Sequence, residues 1–105
     1  MSIRYLASTA QAPTILAVVR ALVQKEGRSV TSVEIMTQIA RDWCDGHNVS
    51  SAVFYRKLDG LLYEKLLEFG SNVVIGGRVV QTYQLSQTGR ESLEGYIKRL
   101  IGSQN

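Results

Sequence analysis

Residues 50–85, SSAVFYRKLDGLLYEKLLEFGSNVVIGGRVVQTYQL, decide the fold because the hydrophobic period changes partway along them. The first part places apolar residues at helical spacing, and either Ser50 or Ser51 can cap the helix. The apolar face of this predicted third helix consists of Phe54, Tyr55, Leu58, Leu61 and Leu62. Gly60 lies inside the pattern, although glycine costs a helix about 1 kcal/mol relative to alanine.

The pattern after Tyr63 is typical of a β-hairpin. Leu66 to Ser71 and Arg78 to Leu85 are strand-like, and the second of these segments is rich in Val, Thr and Tyr. Asn72 to Gly77 contains a Gly-Gly pair, which suits the positive φ angles of a hairpin tip. The sequence therefore predicts two strands joined through residues 72–77.

Two more helices are predicted before residue 50. Apolar residues recur at helical spacing from Pro13 to Glu26, and Gly27 is suited to end that helix. Thr31 and Glu34 form a capping-box pair, which begins a second helix that runs to about Trp43.

The remaining segments complete a known order of elements. Ser29-Val30-Thr31 is long enough for a β-bridge, and Gln87 to Ile101 predicts a last helix. Three helices, a β-hairpin wing and a C-terminal helix form a winged helix-turn-helix, an α+β fold that is mostly α. The predicted division is an N-terminal arm at 1–12, the winged domain with its C-terminal dimerisation helix at 13–101, and a tail at 102–105.

Composition bounds the class of protein. With 105 residues, 45% of them hydrophobic and 20% charged, the chain fits one globular domain. We expect a cytoplasmic protein with no membrane partner, since no apolar run approaches the roughly 18 residues of a membrane span and no secretory signal is recognisable. The formal charge is +3, but residues 28–70 hold five basic and six acidic side chains. Any DNA binding must therefore depend on a few well-placed cations.

The third helix and the hairpin tip carry the candidate DNA contacts. Small side chains let a helix approach base edges, and an arginine can reach the acceptors of guanine. The base-edge candidates are Ser51, Ala52 and Arg56. The phosphate candidates are Ser50, Lys57 and Arg78. The alternative is a solvated helix face with ordinary surface charges and a glycine turn beside a solubilising arginine.

No pattern in the sequence is typical of catalysis. Cys44 and His47 are the only cysteine and histidine, and two ligands three residues apart do not make a zinc site. Gly76-Gly77 lacks the spacing of a dinucleotide fingerprint. We therefore expect a protein that is not an enzyme and that uses no metal or cofactor.

Two segments resemble PadR-like transcriptional regulators. In residues 50–61, Tyr55, Leu58 and Leu61 match the spacing of the family's recognition helix. Residues 83–93, YQLSQTGRESL, look like its passage from the second wing strand into the last helix. The resemblance covers most of the chain, but the glycine that commonly follows the recognition helix is absent here.

The resemblance implies a repressor that binds double-stranded DNA as a homodimer assembled through its terminal helices. The apolar stripe of the last helix supplies the candidate dimer interface, which is Leu93, Tyr96, Ile97 and Leu100. The alternative is that this stripe closes the monomer's own core against the first helix. A dimer would present two recognition helices to major grooves about 34 Å apart.

Two other functions remain open at this point. The weak net charge and Asp59 on the supposed recognition face favour a winged helix that binds protein, as an adaptor. A sensor would need an effector cavity, and Trp43, Tyr55, Tyr63 and Tyr96 could line one between protomers. Core packing explains these four side chains more simply, so a small-molecule effector has no support in the sequence.

Overall fold

The computed structural model describes residues 12–43 and 50–103, and within them it confirms the winged-helix prediction. The elements in chain order are α1 (Ala12–Glu26), β1 (Val30–Thr31), α2 (Ser32–Trp43), α3 (Ser51–Tyr63), β2 (Leu67–Phe69), β3 (Val73–Ile75), β4 (Arg78–Val80), β5 (Thr82–Leu85) and α4 (Gln87–Ser103). Residues 1–11 of the predicted arm and the turn that contains Cys44 and His47 lie outside the described residues, while Ala12 belongs to α1. None of the helices described has the length and apolar character needed to cross a bilayer.

The start of α2 confirms the capping box. The Thr31 amide donates to the Glu34 carboxylate at 2.9 Å, and the Glu34 amide donates to Thr31 Oγ1 at 3.2 Å. The Arg28 guanidinium donates to both oxygens of that carboxylate, at 3.0 and 2.7 Å. These hydrogen bonds lower the pKa of Glu34 to about 2, and the bond from Arg28 has the largest effect.

A three-stranded antiparallel sheet in the order β1-β5-β2 forms the base of the hairpin. Leu67 lies opposite Leu85, and both side chains are buried. Thr82 is fully buried, and its hydroxyl donates to the Ser71 carbonyl at 2.6 Å. Since that proton is used, the Ser29 hydroxyl is the donor in its 2.7 Å bond to Thr82 Oγ1.

The hairpin tip is a second, separate pair of strands, which corrects the prediction of a loop over residues 72–77. Val73–Ile75 is a strand because Val-Val-Ile favours extended backbone, and only Gly76 and Gly77 make the turn. Their φ angles of 57° and 79° between the paired residues Ile75 and Arg78 give a two-residue turn of type I′. Residues 78–85, predicted as one strand, form β4 and β5 with a break at residue 81.

The core lies between α1, the sheet and the inner faces of the other helices. Its fully or nearly buried hydrophobic residues are Ile15, Leu16, Val18, Val19, Leu22, Val30, Ile35, Ile39, Phe54, Leu58, Leu61, Leu67, Leu85 and Leu93. Tyr55 and Tyr63 were expected to pack in the core, and this expectation was wrong. Tyr55 is 38% exposed and Tyr63 is 88% exposed.

Candidate nucleic-acid interface

One side of α3 faces away from the core. Because successive residues of a helix turn by about 100°, the buried Phe54, Leu58 and Leu61 fix the direction of the opposite side. That opposite side, here called the outer face, consists of Ala52, Arg56, Asp59, Gly60 and Tyr63, all exposed. The structure thus places two predicted base-edge candidates, Ala52 and Arg56, one turn apart on an open helix surface.

The cations of the candidate site are available to a polyanion. Arg56 and Arg78 are exposed, and neither forms an ion pair with a residue in the described ranges. Lys57 is half-buried on a flank of α3 instead of on its outer face. Asp59 adds a negative charge to the outer face, as the sequence indicated. The face therefore carries one cation and one anion, and its net charge is close to zero.

The first turn of α3 differs from the predicted cap. Ser50 occupies the N-cap position in an extended conformation, with its carbonyl accepting from the Phe54 amide at 3.0 Å. Its hydroxyl makes no capping hydrogen bond, and Ser51 is exposed beside it. The Ser50 hydroxyl therefore forms no hydrogen bond with the amides of the first turn. Amides at the start of a helix suit a phosphate.

Tyr55 fixes one flank of α3 to the rest of the domain. Its hydroxyl lies 2.9 Å from the Ser32 hydroxyl at the start of α2, and its ring meets Phe54 edge-on at 5.4 Å. Burial raises the pKa of the Tyr83 hydroxyl, and the nearby Asp59 carboxylate and Tyr55 add to that rise. This helix also contacts β2, so both α2 and the sheet fix the orientation of α3.

The end of α3 is a Schellman motif. The Leu66 amide donates to the Leu61 carbonyl at 2.9 Å, and the Lys65 amide donates to the Leu62 carbonyl at 3.0 Å. Lys65 has a φ of 63°, the left-handed conformation that favours glycine. It occupies the place where the glycine of the resembled family would be expected, so the chain keeps the turn without the usual residue.

A contact between α4 and the segment after α3 explains the sequence from Ser86 to Gly89. The Ser86 hydroxyl donates to the Lys65 carbonyl at 2.5 Å and accepts from the Gly89 amide at 3.0 Å. Gly89 packs directly on the Leu66 carbonyl, where an added Cβ would lie 2.9 Å from the carbonyl carbon and nearer still to the oxygen. The first turn of α4 is therefore held against the end of α3.

The apolar stripe of α4 divides between two environments. Leu93 is 1% exposed, so its side chain belongs to the monomer's own core, and Ile97 packs against that core. Tyr96 is half-buried, while Leu100 and Ile101 are exposed. Leu93, which the sequence predicts at the dimer interface, is therefore a core residue of the monomer. The interface candidates that reach the surface are Tyr96, Leu100 and the neighbouring Ile101.

Two features of the site were not identified from the sequence. Tyr63 lies on the outer face, seven residues after Arg56, and its exposure follows from a helical wheel centred on Phe54. The second feature is the extent of β3, which continues the strand pairing of the wing as far as the Gly76-Gly77 turn. Within the described ranges, no three His, Cys, Asp or Glu side chains group as metal ligands would.

Three solved structures are similar to this chain in fold. The protein smu.1704 from Streptococcus mutans UA159 has a TM-score of 0.66 at 19% identity, over 90% of this chain and 82% of that one. Pex from Synechococcus sp. has a TM-score of 0.53 at 21% identity, over 87% of this chain and 83% of that one. The circadian clock associated protein Pex from anabaena has a TM-score of 0.54 at 18% identity, over 91% of this chain and 84% of that one. No family model and no curated protein matches the sequence, and these identities show the fold alone.

Proposed function

We propose that this protein is a PadR-like transcriptional repressor that binds double-stranded DNA sequence-specifically as a homodimer, and that it is not an enzyme. In this proposal α3 enters the major groove and the wing follows the backbone or the minor groove. The observation that carries the proposal is the open outer face of α3, with Arg56 at its centre, next in the chain to a projecting wing with Arg78 at its tip.

Each predicted contact has a role in this arrangement. The residues that approach base edges are Ser51, Ala52 and Arg56, of which Arg56 can donate two hydrogen bonds to guanine. The residues that hold phosphates are Ser50, Lys57 and Arg78. Tyr63, at the other end of the outer face, extends the contact along the groove. The small side chain of Ala52 and the missing side chain of Gly60 allow the helix backbone to come near the bases.

Dimerisation would compensate for the low positive charge. Two copies joined through Tyr96, Leu100 and Ile101 would bring two α3 helices and two wings to one duplex, which doubles the number of cationic contacts. Because such a pair has two-fold symmetry, the bound sequence should be a pseudo-palindrome with half-sites about 10 base pairs apart.

Selection of bound sequences from a random duplex pool tests this proposal. We expect an enriched palindrome, and an affinity for it that falls steeply with salt because phosphate contacts release counterions. A pool with no enriched sequence, or an affinity that is independent of salt, would contradict the proposal.

A second candidate function is a protein-binding adaptor. Asp59 on the outer face of α3 favours it, since a carboxylate there opposes a phosphate backbone and suits a basic protein surface. The two functions differ in the selection experiment, because an adaptor would enrich no duplex.

A further inference from the structure

A cleft of about 330 Å³ lies where α1, β5 and α4 meet. Small-molecule sites in proteins begin at about 300 Å³, so the cleft has room for a small ligand only. Side chains of both charges and two apolar side chains line it. They include Arg20 and Val23 of α1, Gln84 and Leu85 of β5, and Arg90 and Glu94 of α4.

Arg20 and Glu94 carry opposite charges in this cleft but do not pair. Arg20 is half-buried, and its side chain has no ion pair or hydrogen bond within the described ranges. A guanidinium that is partly removed from water without a partner loses hydration and gains no bond in return. No ion pair joins it to Glu94, so a gap separates the two charged groups. Contacts within the monomer therefore leave both groups free to bind a ligand.

Arg90 is a second cation of the cleft, and hydrogen bonds hold its side chain in place. Its Nη1 donates to the Leu85 carbonyl at 3.3 Å, and its Nη2 donates to Gln87 Oε1 at 2.8 Å. The Gln87 amide group donates in turn to the Glu91 carboxylate at 3.0 Å. A guanidinium has five N–H groups, so those left over can still bind a carboxylate.

We infer that this cleft binds a small zwitterion, an amino acid with an apolar side chain. Arg20 and Arg90 would bind its carboxylate through charge-assisted hydrogen bonds, and Glu94 would bind its ammonium group. Val23 and Leu85 would contact its side chain. The inference goes beyond the proposed function and does not depend on it, because no residue of the outer face of α3 lines the cleft.

The charges of the cleft favour a zwitterion over ligands of a single charge. A simple carboxylate or a phosphate would bring its negative charge next to Glu94, and an amine would meet two arginines. Like charges at such short range disfavour binding. The ammonium and carboxylate groups of an amino acid are attached to neighbouring carbon atoms, so one small molecule places both charges in the gap between Arg20 and Glu94.

Titration calorimetry of the full chain with L-leucine, L-methionine and L-phenylalanine, each added alone and without DNA, tests the inference. At least one of them should bind with one ligand per chain. At about ten times its Kd, that amino acid should raise the Tm by about 5–10 °C. Its analogues without the ammonium or without the carboxylate group should bind at least about 10-fold more weakly. For leucine these analogues are 4-methylpentanoate and 3-methylbutylamine.

Two variants assign the binding to the cleft. Arg20→Gln should weaken binding of the amino acid about 10- to 100-fold. Glu94→Gln should also weaken it, but it should not weaken binding of the analogue that lacks the ammonium group, a difference that a merely structural role would not produce. Arg99→Gln and Glu26→Gln are the matched controls, since they remove the same charges from exposed positions outside the cleft. Both should bind like the wild type.

Three results would overturn the inference. The first is that none of the three amino acids binds. The second is that Arg20→Gln and Glu94→Gln bind the amino acid like the wild type, which places it elsewhere on the protein. The third is that the analogue without the ammonium group binds as tightly as the amino acid. If Arg20→Gln fails to fold, Glu94→Gln, at an exposed position, tests the cleft by the same titrations. Since no DNA is present, the outcome is separate from that of the duplex selection.

Discussion

The base and the tip of the hairpin are two strand pairs of similar length in opposite environments. At the base, Leu67 and Leu85 are buried and the Thr82 hydroxyl is bonded on two sides. At the tip, Val74 and Val79 are mostly exposed. Both pairs are rich in apolar or β-branched residues, so composition alone does not distinguish them.

The buried residues at the base are required for folding, whereas the exposed residues at the tip are available for binding. A substitution at the base disturbs the core and the junction with α4, so its effect appears in the free energy of unfolding. The side chains at the tip and on the outer face of α3 are exposed in the described part of the chain, so the main effect of a substitution there should appear in binding. The predictions below test this division, from the largest expected effect to the smallest.

Gly89→Ala should have the largest effect on stability. The new Cβ would overlap the Leu66 carbonyl, and backbone on both sides prevents relief by side-chain movement. We expect the free energy of unfolding in urea to fall by about 3 kcal/mol or more. Gly95→Ala is the control in the same helix, where a Cβ meets nothing within 4 Å. It should raise stability by about 0.5–1 kcal/mol, and equal effects of the two variants would contradict the tight junction.

Glu34→Ala should cost about 1–2 kcal/mol of unfolding free energy, since it removes the capping box and the partner of Arg28. The pKa of Glu34 is lowered from 4.5 to about 2, so the folded state favours the ionised carboxylate. This contribution to stability is complete above pH 4.5 and is lost as the pH falls towards 2. Glu34→Gln retains the cap but not the charge, so its stability should vary less with pH over that range. A wild-type and Gln variant with the same pH dependence would contradict the role of the ion pair.

Lys65→Gly should stabilise the domain by about 1 kcal/mol in thermal or urea unfolding. Glycine removes the cost of a side chain in the left-handed conformation, and this gain exceeds the added freedom of the unfolded chain. Lys65→Ala removes the same charge but keeps a Cβ, so it should not stabilise the protein. A glycine variant less stable than the wild type would show that the lysine side chain itself supports the junction.

Gly60→Ala should separate stability from binding. Its Cβ would lie in open space within a helix, so the unfolding free energy should rise by about 0.5–1 kcal/mol. Affinity for the selected duplex should nevertheless decrease, because the methyl group occupies the outer face that approaches DNA. Gly95→Ala again provides the control, with the same stabilisation and no loss of affinity. Unchanged affinity in Gly60→Ala would place DNA away from this part of α3.

Local signals were sufficient to predict most of the fold. The Thr31–Glu34 capping box, the stop at Gly27 and the change of period after Tyr63 are each determined by residues close together in the chain. The four helices therefore appeared within two residues of their expected ends. The predicted loop over residues 72–77 is too long because a Gly-Gly turn needs only two residues, and Val-Val-Ile before it favours a strand.

The candidate site was less predictable because exposure depends on tertiary packing. Tyr55 follows the apolar period of α3, but its ring turns to the flank, where the Ser32 hydroxyl is its partner. Leu93 and Leu100 share one helical stripe, but the packing of α4 on α1 and β5 buries the first and leaves the second exposed. The contact of Gly89 with Leu66 likewise joins segments that the sequence alone does not bring together.

The central claim, that the outer face of α3 reads a DNA sequence, is tested most directly by comparing Arg56→Ala with the wild type on the selected duplex and on a scrambled one. We expect the variant to lose about 5- to 150-fold in affinity for the selected duplex and much less for the scrambled duplex. Lys25→Ala removes one positive charge from an exposed position on α1 and should retain the wild-type preference. If Arg56→Ala kept the full preference for the selected duplex, α3 would not be the element that reads it.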